Sequence, residues 1–185
     1  MKRQLHALGG TLLAALVSTA QAADFSLSSP TFQADQPLPN LHVFNGFGCS
    51  GENRSPALEW QNPPEGTKSF AVTLYDPDAP TGSGWWHWVV YNIPGDVQGL
   101  PEGAGSADGQ GLPAGAVQGR TDFGGPGFGG ACPPVGAPAH RYIMTVHALK
   151  LEQLPVPADA SPAMIGYMIH MNRLGSATLQ ASYSR

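Results

Sequence analysis

Fourteen residues, Tyr75 to Trp88 (YDPDAPTGSGWWHW), hold two aspartates, two prolines, one histidine and three tryptophans. Carboxylates and an imidazole at this spacing suit ion pairing, proton exchange and the holding of a polar ligand, none of which core packing requires. The Asp76-Pro77-Asp78-Ala79-Pro80 turn has φ fixed at both prolines, so it can aim its carboxylates with little loss of freedom on binding. Asp76 lies nearest the preceding strand and is expected to point inward. Asp78 either joins it as a ligand contact or caps the turn through local hydrogen bonds. His87, eleven residues downstream of Asp76, is expected within hairpin reach of that carboxylate.

A second cluster, Gly124 to Tyr142 (GGPGFGGACPPVGAPAHRY), follows about fifty residues later. Its glycines allow a ligand to approach the main chain, and successive N–H groups can form an anion nest. In His140-Arg141-Tyr142, strand alternation places His140 and Tyr142 on one face and Arg141 on the other. Arg141 suits a structural role as a bidentate anchor for the acidic turn.

The elements that must position these groups read as short strands. Ser69 to Tyr75 alternates Phe70, Val72 and Leu74 against Ala71, Thr73 and Tyr75. Trp88 to Ile93, Arg141 to Leu149 and Ala177 to Tyr183 are further strands. Alternation puts Trp86 and Trp88 on one face, and Trp85 and His87 on the other. Ser161-Pro162 opens a helix whose stripe is Ile165, Met168, Ile169 and Met171, and Gly175 suits its C′ stop. Ala104 to Gly130 is a long glycine-rich loop, of a length that compact folds more often use than tolerate. The pattern predicts a mainly antiparallel β-sandwich with one late helix.

Residues 1–22 carry Lys2 and Arg3, an apolar run at Leu12 to Val17, and Ala20-Gln21-Ala22, the layout of a secretory signal peptide. The expectation is a single exported domain over 23–185, periplasmic or secreted and without membrane insertion. Without Lys2 and Arg3, seven basic side chains face thirteen acidic ones, a formal charge of −6. Nucleic acid and anionic membranes are poor partners for such a chain. Cys49 and Cys132 are either two buried thiols or, in an oxidising compartment, one disulfide, and export favours the disulfide.

Together, DPDAP…HW and GFGGACPP…HRY resemble the phosphatidylethanolamine-binding protein family. Cys49 to Trp60 resembles the C-x-G-x-N-x-S-P-x-L-x-W block of its bacterial Raf-kinase-inhibitor-like branch. The likeness runs from about Phe25 to the C-terminus and departs from the family pattern at Pro138-Ala139. It implies a sandwich with a large central sheet and a small anion pocket at one end. Asp76, Pro80, His87, His140 and Tyr142 would line that pocket, and backbone at Gly130, Ala131 and Cys132 would complete it. It also implies phosphate-like ligands, a homodimer, and a partner-modulating role such as that of a kinase or protease inhibitor. An exported protein would not meet a cytoplasmic kinase of its own cell, so that role does not transfer.

A carboxylate beside a phosphate is repulsive unless a protonated histidine or a ligand ammonium lies between them. The reading is therefore a non-catalytic anion-binding protein with no cofactor and no metal. One alternative is a hydrolase or metalloenzyme using Asp76, Asp78, His87 and His140, although no H-E-x-x-H or G-x-S-x-G motif is present. The other is a partner-binding sandwich with a vestigial pocket.

Overall fold

The computed structural model describes residues 23–185, so the signal-peptide reading lies outside the described residues. Ten strands and one helix follow in chain order. They are β1 (Ser26–Ser28), β2 (Asn45–Gly46), β3 (Cys49–Ser50), β4 (Leu58–Gln61), β5 (Ser69–Asp76), β6 (Trp85–Pro94), β7 (Gly99–Leu100), β8 (Val117–Gln118), β9 (His140–Leu149), α1 (Pro162–Asn172) and β10 (Arg173–Tyr183). Five strands form the large sheet in the order β10-β9-β5-β6-β8, every neighbouring pair antiparallel. A three-stranded sheet, β1-β4-β7, packs against it, and β2-β3 is a separate small hairpin. The sandwich with a large central sheet is as expected.

The two faces of β5 explain the layering. Phe70, Val72 and Leu74 enter the gap between the sheets, where they meet Leu27, Leu58 and Trp60 of the smaller sheet. Ala71 faces the other way, into a second cluster with Val89, Leu149, Ile165 and Ile169 under α1. A period of two on one strand thus serves two cores.

Helix α1 starts as its sequence requires. The Ser161 side chain accepts from the Met164 N–H, and Pro162 occupies the first turn. Ile165 and Ile169, four residues apart, are the buried pair. Met164, Tyr167 and Met171 face outward and are about half exposed or more. Met171, expected in the packed stripe, is therefore a surface residue. Gly175 is not the helix stop either. The chain turns directly from Asn172 into β10 at Arg173, and Gly175 lies in that strand beside a register shift. A Cβ on Gly175 would come within 2.7 Å of Pro64 Cγ, so close packing accounts for the glycine.

The β5–β6 ladder breaks the alternation expected of the tryptophans. Leu74 pairs with Trp88 and Tyr75 with Trp86, which leaves His87 as an extra residue with no partner opposite. Such a bulge turns successive side chains to the same side. Trp88 therefore enters the sandwich core, while Trp86 packs on Tyr75 across the sheet at 4.7 Å. His87 lies against Tyr142, a core-side residue, at 5.2 Å between ring centroids.

Cys49 and Cys132 form a disulfide across 83 residues of sequence, joining the β2-β3 hairpin to the loop before β9. Among the described residues, no helix is long and apolar enough to cross a membrane. A cross-link of that span stabilises the chain by about 4 kcal/mol in the chain-entropy model. Cys49→Ser/Cys132→Ser protein should lose stability of that order in urea unfolding. A loss below about 1 kcal/mol would show that the bridge does not restrict the unfolded chain in this way.

Candidate functional site

A pocket of about 190 Å³ opens at the end of the gap between the sheets, where β5, β6 and β9 meet the D-P-D turn. Asp76 stands at its base and is 2 % exposed. Its Oδ1 accepts the backbone N–H groups of Asp78 (2.8 Å) and Ala79 (3.1 Å). Its Oδ2 lies 2.8 Å from His140 Nδ1. One buried carboxylate thus caps its own turn and holds the first residue of β9, 64 residues away. Asp76 was expected to reach His87; its partner is His140 instead, because β9, not β6, brings an imidazole to its free oxygen.

His87 is anchored differently. Its Nδ1 lies 2.7 Å from the Gly129 carbonyl, so Nδ1 carries the proton and donates. Nε2 makes no hydrogen bond to the protein among the described residues and keeps some exposure in the pocket lining, where it can accept. Burial pushes the ring's pKa down from 6.5 to about 4, against the opposing effects of the Gly129 carbonyl and the Asp76 charge. His87 is consequently neutral across pH 5 to 8 and cannot supply the positive charge that a phosphate would need. The other imidazole in the lining is that of His140, whose Nε2 makes no hydrogen bond to the protein among the described residues.

Behind the wall, the Tyr142 hydroxyl and the Trp85 indole N–H are sealed from solvent and have no hydrogen-bond partner among the described residues. Burial, with Asp76 nearby, raises the Tyr142 pKa far above its usual value, which keeps the phenol protonated. Pro80, Pro133 and Pro134 line the mouth together with Phe47 and Phe123. The Phe123 ring contacts the rings of Trp85, His87 and Phe47. Polar floor and apolar rim together suit a small polar group attached to something greasy.

Of the residues singled out in the sequence, Asp76, Pro80, His87, Cys132, His140 and Tyr142 converge on this pocket. Asp78 does not line it. Both of its oxygens engage Arg141, with Nε to Oδ2 at 2.9 Å and Nη2 to Oδ1 at 2.8 Å, and Oδ2 also accepts the Arg141 backbone N–H. The guanidinium lowers the Asp78 pKa to about 2. Arg141 is thus the expected bidentate anchor, and Asp78 is its counterpart and not a ligand contact.

Gly130 and Ala131 also depart from expectation. The Gly130 N–H donates to Asn53 Oδ1 at 2.7 Å and the Ala131 N–H to the His42 carbonyl at 3.1 Å, so neither is free to form a nest. A side chain on Gly130 would collide with the His42 and Val43 backbone, which explains the glycine without a ligand. Cys132 lines the pocket and is one half of the disulfide.

Sequence reading missed Asn53, which ties the glycine loop through Gly130 and the Phe128 carbonyl. It also missed Phe47 and Phe123, whose loop positions carry no periodicity to flag them. Among the described residues, no group of three or more His, Cys, Asp or Glu side chains has the arrangement of a metal site.

The architecture defines the class: an antiparallel sandwich with a histidine-and-aspartate pocket closed by proline turns at one end. A family model for phosphatidylethanolamine-binding proteins matches residues 28–184. The chain belongs to the phosphatidylethanolamine-binding protein family. It is 55% identical to the UPF0098 protein YbcL of Escherichia coli over 173 residues, 94% of each chain. To YbhB of the same organism it is 56% identical over 147 residues, covering 80% of this chain and 92% of YbhB. The crystal structure of E. coli YbcL, described as a new member of the mammalian PEBP family, superposes with a TM-score of 0.86. That superposition covers 88% of this chain and 99% of YbcL. A putative homologue from Chlamydia trachomatis, 27% identical, gives 0.72 over 87% of this chain and 97% of its own.

The buried imidazole carries a pH signature. Unfolded, a histidine takes up its proton near pH 6.5; folded, His87 resists until about pH 4. Its contribution to stability is complete above 6.5 and is lost as pH falls toward 4, amounting to about 3 kcal/mol per such histidine. His87→Gln should therefore flatten the fall in urea stability between pH 6.5 and 4, whatever it does to stability at pH 8. An unchanged slope would mean that His87 is not held neutral.

Proposed function

We propose that this protein is a non-catalytic receptor for small anionic ligands, phosphate-bearing ones among them. The observation that carries this reading is the Asp76–His140 pair at the floor of a pocket that His87, anchored by the Gly129 carbonyl, also lines. An imidazole whose Nδ1–H is held by a carboxylate presents Nε2 toward a ligand, and protonation there turns it into a donor for an oxyanion. Asp76 offsets the imidazolium charge, while His87 Nε2 accepts from a ligand hydroxyl or ammonium. A phosphate monoester carrying an amine, or a protonated oxyanion, satisfies both rings. The aromatic rim then covers the ligand's apolar remainder.

Among the described residues no serine lines the pocket, the Thr81 hydroxyl donates to the Gly84 carbonyl, and the Cys132 sulfur is bonded in the disulfide, so no lining group is arranged as an activated nucleophile. We place the protein outside the cytoplasm, as a single domain following a cleaved leader, on the strength of residues 1–22 and the Cys49–Cys132 bridge. The outward Met164, Tyr167 and Met171 on α1 favour a homodimer, for which sedimentation should return twice the chain mass. Sedimentation as a monomer at high micromolar concentration would remove that part of the reading.

Sulfate is the informative probe because its charge does not change between pH 8 and 5. An anion held through an added proton binds more tightly as pH falls, and calorimetry over that range should show the rise. His140→Gln should abolish the rise and weaken binding about tenfold or more. Phosphoethanolamine should bind more tightly than inorganic phosphate, with His87→Ala removing that advantage. A sulfate affinity flat from pH 8 to 5 in the unaltered protein would overturn the proposal.

A further inference from the structure

The opposite face of the large sheet holds a second cleft, between β5, β9 and the flank of α1, with a volume of about 230 Å³. Its floor is polar. Thr73 and Thr145 stand directly opposite each other on β5 and β9, and His147 follows on β9. His147 Nε2 lies 3.1 Å from Thr73 Oγ1, while its buried Nδ1 has no hydrogen-bond partner. Burial, and then the nearby Arg173 charge, pushes this ring's pKa down to about 3, so it is neutral.

One wall is aromatic: Tyr75 and Trp86 pack at 4.7 Å as a tilted pair. The roof is opened by Gly166, where even a single Cβ would already touch Trp86 Cη2 at 3.5 Å. Arg173, at the junction of α1 and β10, closes the end, with His170 one turn away on the helix. Among the described residues Arg173 makes no ion pair and no side-chain hydrogen bond. No aspartate or glutamate lines the cleft, although acidic residues outnumber basic ones in the chain.

A guanidinium without a counter-ion, at the mouth of a cleft with threonine hydroxyls and an aromatic wall, complements an anion that carries an aromatic ring. We infer that this cleft is a second small-molecule site, separate from the Asp76–His140 pocket, that takes a small aromatic monocarboxylate. The planar carboxylate matches the guanidinium fork, the threonine hydroxyls donate to its remaining lone pairs, and the ring lies against Tyr75 and Trp86. The volume suits a single ring with a short substituent. Location on the helix side of the sheet makes it independent of the first pocket, whose Asp76 and Tyr142 face the gap between the sheets.

The test is a titration of the ¹⁵N-labelled mature protein with benzoate and with phenylacetate, using benzyl alcohol as the uncharged control. Saturable shifts should centre on the Trp86 indole, Thr145 and Gly166, with benzyl alcohol at least tenfold weaker. Arg173→Gln changes an exposed side chain and should weaken benzoate about tenfold while leaving benzyl alcohol as it was. Thr145→Val, which keeps the shape of the floor, should weaken benzoate as well. Shifts confined to Trp85 and the first pocket would overturn the inference. So would non-saturating binding, equal affinities for benzoate and benzyl alcohol, or an Arg173→Gln protein that binds benzoate normally. A cleft occluded by a second copy of the chain would show as benzoate binding that disappears as the protein self-associates, and would overturn it too.

Discussion

The buried carboxylate of Asp76 is the interaction on which the pocket depends. A carboxyl group at 2 % exposure is tolerated only when its lone pairs are met, and here three donors meet them: two turn N–H groups and an imidazole. Because those donors come from two segments 64 residues apart, satisfying the carboxyl group also sets the distance between them. The D-P-D turn, the start of β9 and the pocket floor are therefore one electrostatic unit. Asp78 and Arg141 repeat the link on the exposed side, where the pair orients the turn but adds little to stability.

The bulge at His87 is the second constraint. A regular β6 would have sent Trp86 and Trp88 to one face and left the histidine on the other. One extra residue lets His87 and Trp88 both turn inward, so a single strand supplies a core tryptophan and a pocket imidazole side by side. The ring's proton is then set by the Gly129 carbonyl, and its neutrality by burial. Both follow from the loop that Asn53 and the disulfide hold in place. The glycines at 129 and 130 are there because backbone and Phe123 press against them, not because a ligand does.

The two faces of the large sheet divide the polar chemistry between them. On the sandwich side, an acid balances the imidazoles. On the helix side, Arg173 is left without a counter-charge above two threonines and a neutral histidine. Both sites lie where a regular layer ends: the first at the edge of the inter-sheet core, the second where α1 stops short of covering β9.

Much of this was legible in the residues alone. Alternation in β5 and β9, the Ser161-Pro162 helix start and the Arg141 anchor follow from local rules, because a period of two or 3.6 and a cap are properties of neighbouring residues. The motif resemblance brought Asp76, His87, His140 and Tyr142 together without coordinates. Three things were not legible. Whether Asp76 meets His87 or His140 depends on which strand β5 pairs with on each side. The bulge depends on a register that only the partner strand defines. Whether the Gly130 and Ala131 N–H groups are free depends on Asn53 and His42, some eighty residues earlier in the chain. Local sequence determined what each segment could offer; the long-range pairing of strands decided which hydrogen-bonding groups were already satisfied and which remained for a ligand.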